Sequence, residues 1–219
     1  MPVPEPAGRS ESVRELVRDR VYAQLRNAIL TGVLLPGERL DEAELRKWLQ
    51  VSGTPIRQAL HTLSLEGLVQ TAPQSYSAVI APRPEHALET LQTIGVLLAG
   101  ATLITLPRLD EGARAQLARQ ADAVIDSLET GDVPAITSAA ESYFTSILAA
   151  CPNPVLLEII ARSGPSLSYH VSVAHQGLDA DLVELARGYE TLRTALELHD
   201  DPGVVAATKR VFRVGLATF

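Results

Sequence analysis

A break of only five residues, Val51-Ser52-Gly53-Thr54-Pro55, separates two helical patterns and constrains the fold more than any other stretch. Upstream, Asp41 and Glu44 stand three apart ahead of Leu45, Trp48 and Leu49, a capping-box-like start to a short helix. Downstream, Ser52 is a good N-cap, and Pro55 falls in the first turn, where a missing N–H costs nothing. Ile56, Ala59, Leu60 and Leu63 then follow the i, i+3, i+4, i+7 spacing of a buried stripe, so Arg57, His61 and Ser64 point elsewhere. Before this pair, Val17, Val21, Leu25 and Ile29 recur every fourth residue in a pattern that starts at Val13. That pattern ends at Thr31-Gly32, where Gly suits a left-handed cap, and Leu35-Pro36-Gly37 makes a turn. After the pair, residues 68–71 and 78–81 read as two short strands around a hairpin tip at 72–77. Helix, short helix, tight turn, helix, hairpin is the order of a winged helix-turn-helix.

The rest of the chain reads differently. Residues 1–11 hold three Pro, one Gly and one Ser with no apolar period, as in a flexible tail. Residues 82–84, Pro-Arg-Pro, suit a linker. Helical patterns follow over about 85–106, 110–129 and 132–150. After Pro152-Asn153-Pro154 a fourth runs unevenly to about 176, and Ser163-Gly164-Pro165 is expected to interrupt or kink it. A fifth spans about 179–198, and Asp201-Pro202 opens the last. The expected fold is mainly α: a winged helix-turn-helix over 12–81, the linker, and an all-α antiparallel helical bundle over 85–219.

Charge follows the same division. The net charge of −7 hides nine basic and nine acidic residues in 1–82, against ten and seventeen in 83–219. A neutral first third can still present a local basic face to nucleic acid. Residues 90–107 come closest to a membrane span, but their flanking charges and internal Thr, Gln and Gly predict a buried helix and no membrane partner. The N-terminus lacks the pattern of a secretory signal. One cysteine, Cys151, excludes a disulfide framework or a cysteine zinc cluster within the chain and points to the cytoplasm. Cys151 has no His or Asp nearby in sequence, and there is no glycine-rich phosphate loop or Gly-x-Ser-x-Gly turn. No catalytic residue is nominated, and the chain reads as a non-enzyme.

The run Ala28-Ile29-Leu30-Thr31-Gly32-Val33-Leu34-Leu35-Pro36-Gly37-Glu38-Arg39-Leu40, with Val51 to Leu60, Leu63 and Glu66 to Val69, resembles GntR-family bacterial transcription regulators over about 13–80. The helical remainder is similar in length and layout to the effector-binding FCD domain of the FadR subfamily. The resemblance implies a homodimer that binds a near-palindromic double-stranded operator and is switched by a small molecule. Ser52, Thr54 and Pro55 then form a helix N-terminus that attracts phosphate, and Arg57 reaches a base edge or a phosphate. Arg39, Arg46 and Lys47 are candidate backbone contacts, and Gln74, Ser75 and Tyr76 form the wing tip. Two departures weaken this pattern: Gly53 stands where the family usually has a DNA-contacting Arg, and the wing tip lacks its basic residue and its Gly. Weaker binding with a shallower salt dependence is expected, since the slope tracks phosphates neutralised.

In the second region the resemblance implies a cavity that in many FCD domains holds a metal through one Asp and three His. Here the matching positions are Glu141, Thr145, Tyr189 and Val211, with Phe212 beside the last. Thr, Tyr and Val cannot replace imidazole, so no metal or other cofactor is expected. Ile94 and Leu98 stand where the family often has Arg and Glu. His170 is the remaining polar candidate for the cavity; His175, five residues on, does not share its helical face. Two readings stay open: the cavity binds a more apolar, metal-free ligand, or it has filled with side chains. The alternative function is a ligand-insensitive or co-regulatory dimer with weakened DNA binding.

Overall fold

Val21, Leu25, Ala28 and Ile29 lie buried along one face of the first helix, α1 (Val17–Leu30), as their spacing requires. The computed structural model describes residues 17–72, 76–174 and 182–215. The chain forms two compact units, Met1–Ala81 and Pro82–Phe219. In the first, α1 is followed by β1 (Arg39–Leu40), α2 (Glu42–Leu49), α3 (Gly53–Leu65), β2 (Val69–Ala72) and β3 (Tyr76–Val79). Asp41 caps α2 by accepting from Ala43 N and Glu44 N, and Gln50 ends it in the left-handed region. α3 buries Ile56, Ala59, Leu60 and Leu63 against α1. Full burial of each larger side chain contributes about 2 kcal/mol.

Four local expectations change. β1 is a third strand: the antiparallel order is β1-β3-β2, with Arg39 opposite Ala78 and Leu40 opposite Ser77. β2 and β3 lie within two residues of the expected spans, and residues 73–75 of the expected tip fall outside the described residues. Trp48 does not join Leu45 in the α2 stripe; it is 50% exposed. Ser52 occupies the α3 N-cap but makes no side-chain capping bond.

Tyr22 on α1 donates through its hydroxyl to Glu66 Oε1 at 2.6 Å, and Arg26 Nε lies 3.5 Å from Glu66 Oε2. These contacts tie α1 to the end of α3. Burial, then the hydrogen bond and charge of Glu66, pushes the Tyr22 phenol up to about 12. A phenol raised this way stabilises the fold fully below its ordinary pKa, about 10, and that stability is lost as pH rises to about 12. Tyr22→Phe is therefore expected to cost the first unit about 1 kcal/mol at neutral pH and to remove this alkaline decline. Urea unfolding at pH 7 and across pH 9–12 checks both.

The second unit opens with a 3-10 turn, Pro84–His86, so Pro84 belongs to an element rather than to a linker. α4 (Ala87–Thr105), α5 (Glu111–Thr130), α6 (Val133–Ala149), α7 (Pro154–Ala174), α8 (Leu182–Glu197) and α9 (Asp201–Val211) follow. Asp110, Asn153 and Asp200 each accept a backbone N–H at a helix start, and Gly131 closes α5 with φ of 69°. α5 packs against α6 and α8, α9 packs against α8 and α4, and α4 also meets α6 and α7. α7 runs from Pro154 to Ala174 with Pro165 inside it, so Ser163-Gly164-Pro165 does not interrupt the helix. Buried Arg114 donates to Leu106 O, and its Nη1 lies 2.8 Å from Asp201 Oδ1, linking the end of α4 to the start of α9.

α4 also departs from expectation. It is not wholly buried: Val96 is 55% and Leu103 58% exposed, and Ile104 also faces solvent. With its flanking turns, residues 84–108, it is long and apolar enough to cross a membrane by length and composition alone. Here it is a packed member of the bundle.

Candidate nucleic-acid interface and bundle interior

The α3 face opposite the core presents Thr54, Arg57, Gln58, His61 and Thr62. At its N-terminus the first N–H groups have no partner within the helix, and the Ser52 hydroxyl does not cap them. Ser52, Thr54, half-buried Pro55 and Arg57 therefore come together on the first turns of α3. Arg57 does not extend freely into solvent. Its Nη1 donates to Glu42 Oε2 at 3.0 Å, and a Cβ on Gly53 would lie 3.1 Å from the same nitrogen. The missing side chain at Gly53 gives the guanidinium room to lie over the start of α3. A cation is unfavourable at that positive helix end, and the Glu42 carboxylate offsets this. The Arg57 side chain is 61% exposed, and an exposed pair of this kind contributes less than about 1 kcal/mol. A guanine edge or a phosphate can take Glu42's place.

Arg39 stands on β1 with its guanidinium carbon 4.2 Å from the centre of the Tyr76 ring, so these two expected residues meet at the base of the wing. Gln74 and Ser75 lie outside the described residues. Arg46 and Lys47 are exposed in the last turn of α2. Sequence reasoning missed Glu42, which looks like an ordinary first-turn acid, and Gln58, which shares the outward face of Arg57. Ser64 is turned back onto its own helix, where its hydroxyl donates to His61 O.

In the second unit four rings form a chain. Phe212 lies 5.3 Å from Phe144, Phe144 4.9 Å from Tyr143, and Tyr143 6.4 Å from Tyr189, centre to centre. Leu98 is buried in the same cluster, and Ile94, Val211 and Phe212 pack against it. Glu141 and Thr145, expected to line the cavity, are exposed instead; the core-facing residues of α6 are Tyr143, Phe144 and Ile147. Residues 141 and 145 are on one helical face, but the apolar residues between them claim the interior. His170 is half-buried, with its ring 6.1 Å from that of Tyr169. Burial holds the Tyr143 and Tyr189 phenols well above the usual tyrosine range, so both stay protonated.

The end of α9 closes on two glycines. A Cβ on Gly95 would overlap Phe212 Cβ and lie 2.7 Å from Val214 Cγ2, and one on Gly188 would lie 3.0 Å from Val211 Cγ2. Gln92 Nε2 donates to Arg213 O at 2.9 Å. The donor set does not fit a divalent metal: Glu141 is the one carboxylate among the four matching positions, and Thr145, Tyr189 and Val211 offer no imidazole. Among the described residues no three of His, Cys, Asp and Glu gather at metal-binding distance.

The model of the bacterial regulatory proteins, gntR family, matches residues 17–79, and that of the FCD domain matches residues 89–214. A helix-turn-helix-type transcriptional regulator from the TAR-I ttuE-ttuC′ intergenic region of Agrobacterium vitis is 33% identical over 154 residues, 68% of this chain and 88% of that protein. The Escherichia coli regulator McbR is 27% identical over 192 residues, 84% of each chain. Its solved structure shares the fold with a TM-score of 0.64, covering 90% of this chain and 93% of McbR. A GntR regulator from Rhodococcus sp. RHA1 matches with the same score and coverage.

Proposed function

The chain belongs to the gntR family of bacterial regulatory proteins and carries an FCD domain; from that premise we propose that it is a homodimeric operator-binding repressor or activator of the FadR subfamily, working in the cytoplasm and switched by a small, rather apolar effector. It is a transcriptional regulator and not an enzyme. The observation that carries the reading is the α3 N-terminus, where Ser52, Thr54 and Arg57 present hydroxyls, N–H groups without a Ser52 side-chain cap, and a forked cation. Arg39, Tyr76, Arg46 and Lys47 add backbone contacts. A gel shift at low salt with a duplex from the chain's own upstream region tests it. Retarded complex is expected, and its absence for a folded dimer contradicts the reading.

Dimerisation is supported by α4. Val96, Gly100, Leu103 and Pro107 recur at four, three and four residues along its outer side, the spacing of a helix–helix seam. No charge lies between Glu89 and Arg108, so a second copy of the same face meets it without unpaired ions. Leu103→Glu is expected to weaken the dimer at least about ten-fold, because each copy buries an unpaired carboxylate. Sedimentation equilibrium reads this, and an unchanged dimer removes α4 from the interface.

Gly53 and the Glu42–Arg57 pair favour one second reading, a co-regulatory dimer whose own DNA affinity is low. The effector acts only if it binds the two DNA-binding states unequally.

A further inference from the structure

The aromatic cluster of the second unit encloses a buried polar group. Tyr143 is fully buried, and among the described residues its hydroxyl has no hydrogen-bond partner. A buried hydroxyl left unpaired is costly, and native interiors nearly always supply a partner. The Tyr22 hydroxyl, by contrast, is paired with Glu66.

The other end of the cluster is only partly covered. Phe212 follows the last turn of α9 and is only partly buried. Its ring rests on Phe144, and its neighbour Arg213 is tied to α4 by the bond from Gln92. Arg213 and Gly215 both have positive φ, so the chain turns sharply just after the ring. Withdrawing Phe212 breaks the Gln92 bond together with the capping bonds that the Phe212, Arg213 and Val214 N–H groups make to the last turn of α9. The missing Cβ at Gly95 is what lets the ring in.

We propose that Phe212 is a built-in occupant of the effector site, displaced by a flat, uncharged aromatic molecule with one acceptor oxygen that Tyr143 hydrogen-bonds. Flatness follows from the rings in the cluster: Phe212 rests on Phe144, and Tyr143 meets both Phe144 and Tyr189 edge-on, a setting that favours another ring. Neutrality follows from Ile94, Leu98, Phe144 and Tyr189, which offer no cation to a buried charge. The acceptor follows from the orphaned hydroxyl. The inference rests on the reading that the FCD domain binds an effector.

Two probes of one shape separate the parts: acetophenone, and α-methylstyrene, which carries a CH2 in place of the carbonyl oxygen. Calorimetry with full-length Phe212→Ala is expected to show acetophenone binding at least ten-fold tighter than to the wild type, and roughly ten-fold tighter than α-methylstyrene. Adding Tyr143→Phe removes the second difference and keeps the first. Equal binding of the two probes to Phe212→Ala, or no binding of either, overturns the proposal. Should Phe212→Ala fail to fold, NMR of the wild type with millimolar acetophenone replaces it; ring shifts confined to Phe212, Phe144 and Tyr143 support the site, and their absence overturns it. Duplex binding by the same samples keeps the two readings apart. Retarded DNA without probe binding sinks the site alone, whereas probe binding that never alters DNA affinity sinks the effector role of the domain.

Discussion

Arg57→Ala lowers affinity for a preferred duplex by about 30-fold to 10⁴-fold. Each copy loses a forked donor that, when bidentate to guanine, is worth about 1–3 kcal/mol, and a dimer loses two. Binding to a scrambled duplex falls much less, because that term comes from phosphate neutralisation. Glu42→Gln acts in the opposite direction. It removes the charge that holds the guanidinium in its 3.0 Å bond, so affinity rises by a few-fold and the salt slope steepens. Arg46→Ala and Lys47→Ala weaken all duplexes alike and reduce the slope by about 1 per copy. Anisotropy titrations between 50 and 200 mM salt distinguish the three behaviours. Equal losses on preferred and scrambled duplexes remove Arg57 from base reading.

Gly95→Ala destabilises the second unit by about 3 kcal/mol, at the upper end of what overpacking costs. The added Cβ overlaps Phe212 Cβ, the rigid base of a side chain rather than its flexible end. Val214 closes the other side. Either α9 shifts off α4 or the Phe212 segment leaves the cluster. Pairing Gly95→Ala with Phe212→Gly removes the opposing atom and recovers part of the loss, so the two changes are not additive. Thermal unfolding of the single and double variants reads this. Strict additivity would show that the close approach does not matter to stability.

The legible parts of the chain are those set by near neighbours. Asp41, the break at 51–55 and the stripe from Ile56 to Leu63 specify the two helices of the DNA-reading motif within about 25 residues. β1 was hidden because two residues carry no period, and Arg39–Leu40 become a strand only when β3 returns beside them. Trp48 has the spacing of a core residue, yet half of it stays exposed. The inward face of α6 is decided by Tyr143, Phe144 and Ile147, which outweigh the positions matched at Glu141 and Thr145. Gly95 gives no local signal of its role, since its neighbour Phe212 lies more than a hundred residues away. The candidate site divides the same way: Arg57 is readable from its helix, but its partner Glu42 belongs to another.

The most direct measurement is a stoichiometric gel shift on duplexes selected from a random pool, with the distance between half-sites varied. A homodimer that reads DNA through α3 places its recognition helices about one helical turn apart. The expected result is two chains per near-palindromic duplex, with complex lost when five base pairs are inserted between the half-sites and regained when ten are. One chain per duplex, indifferent to the insertion, would contradict it.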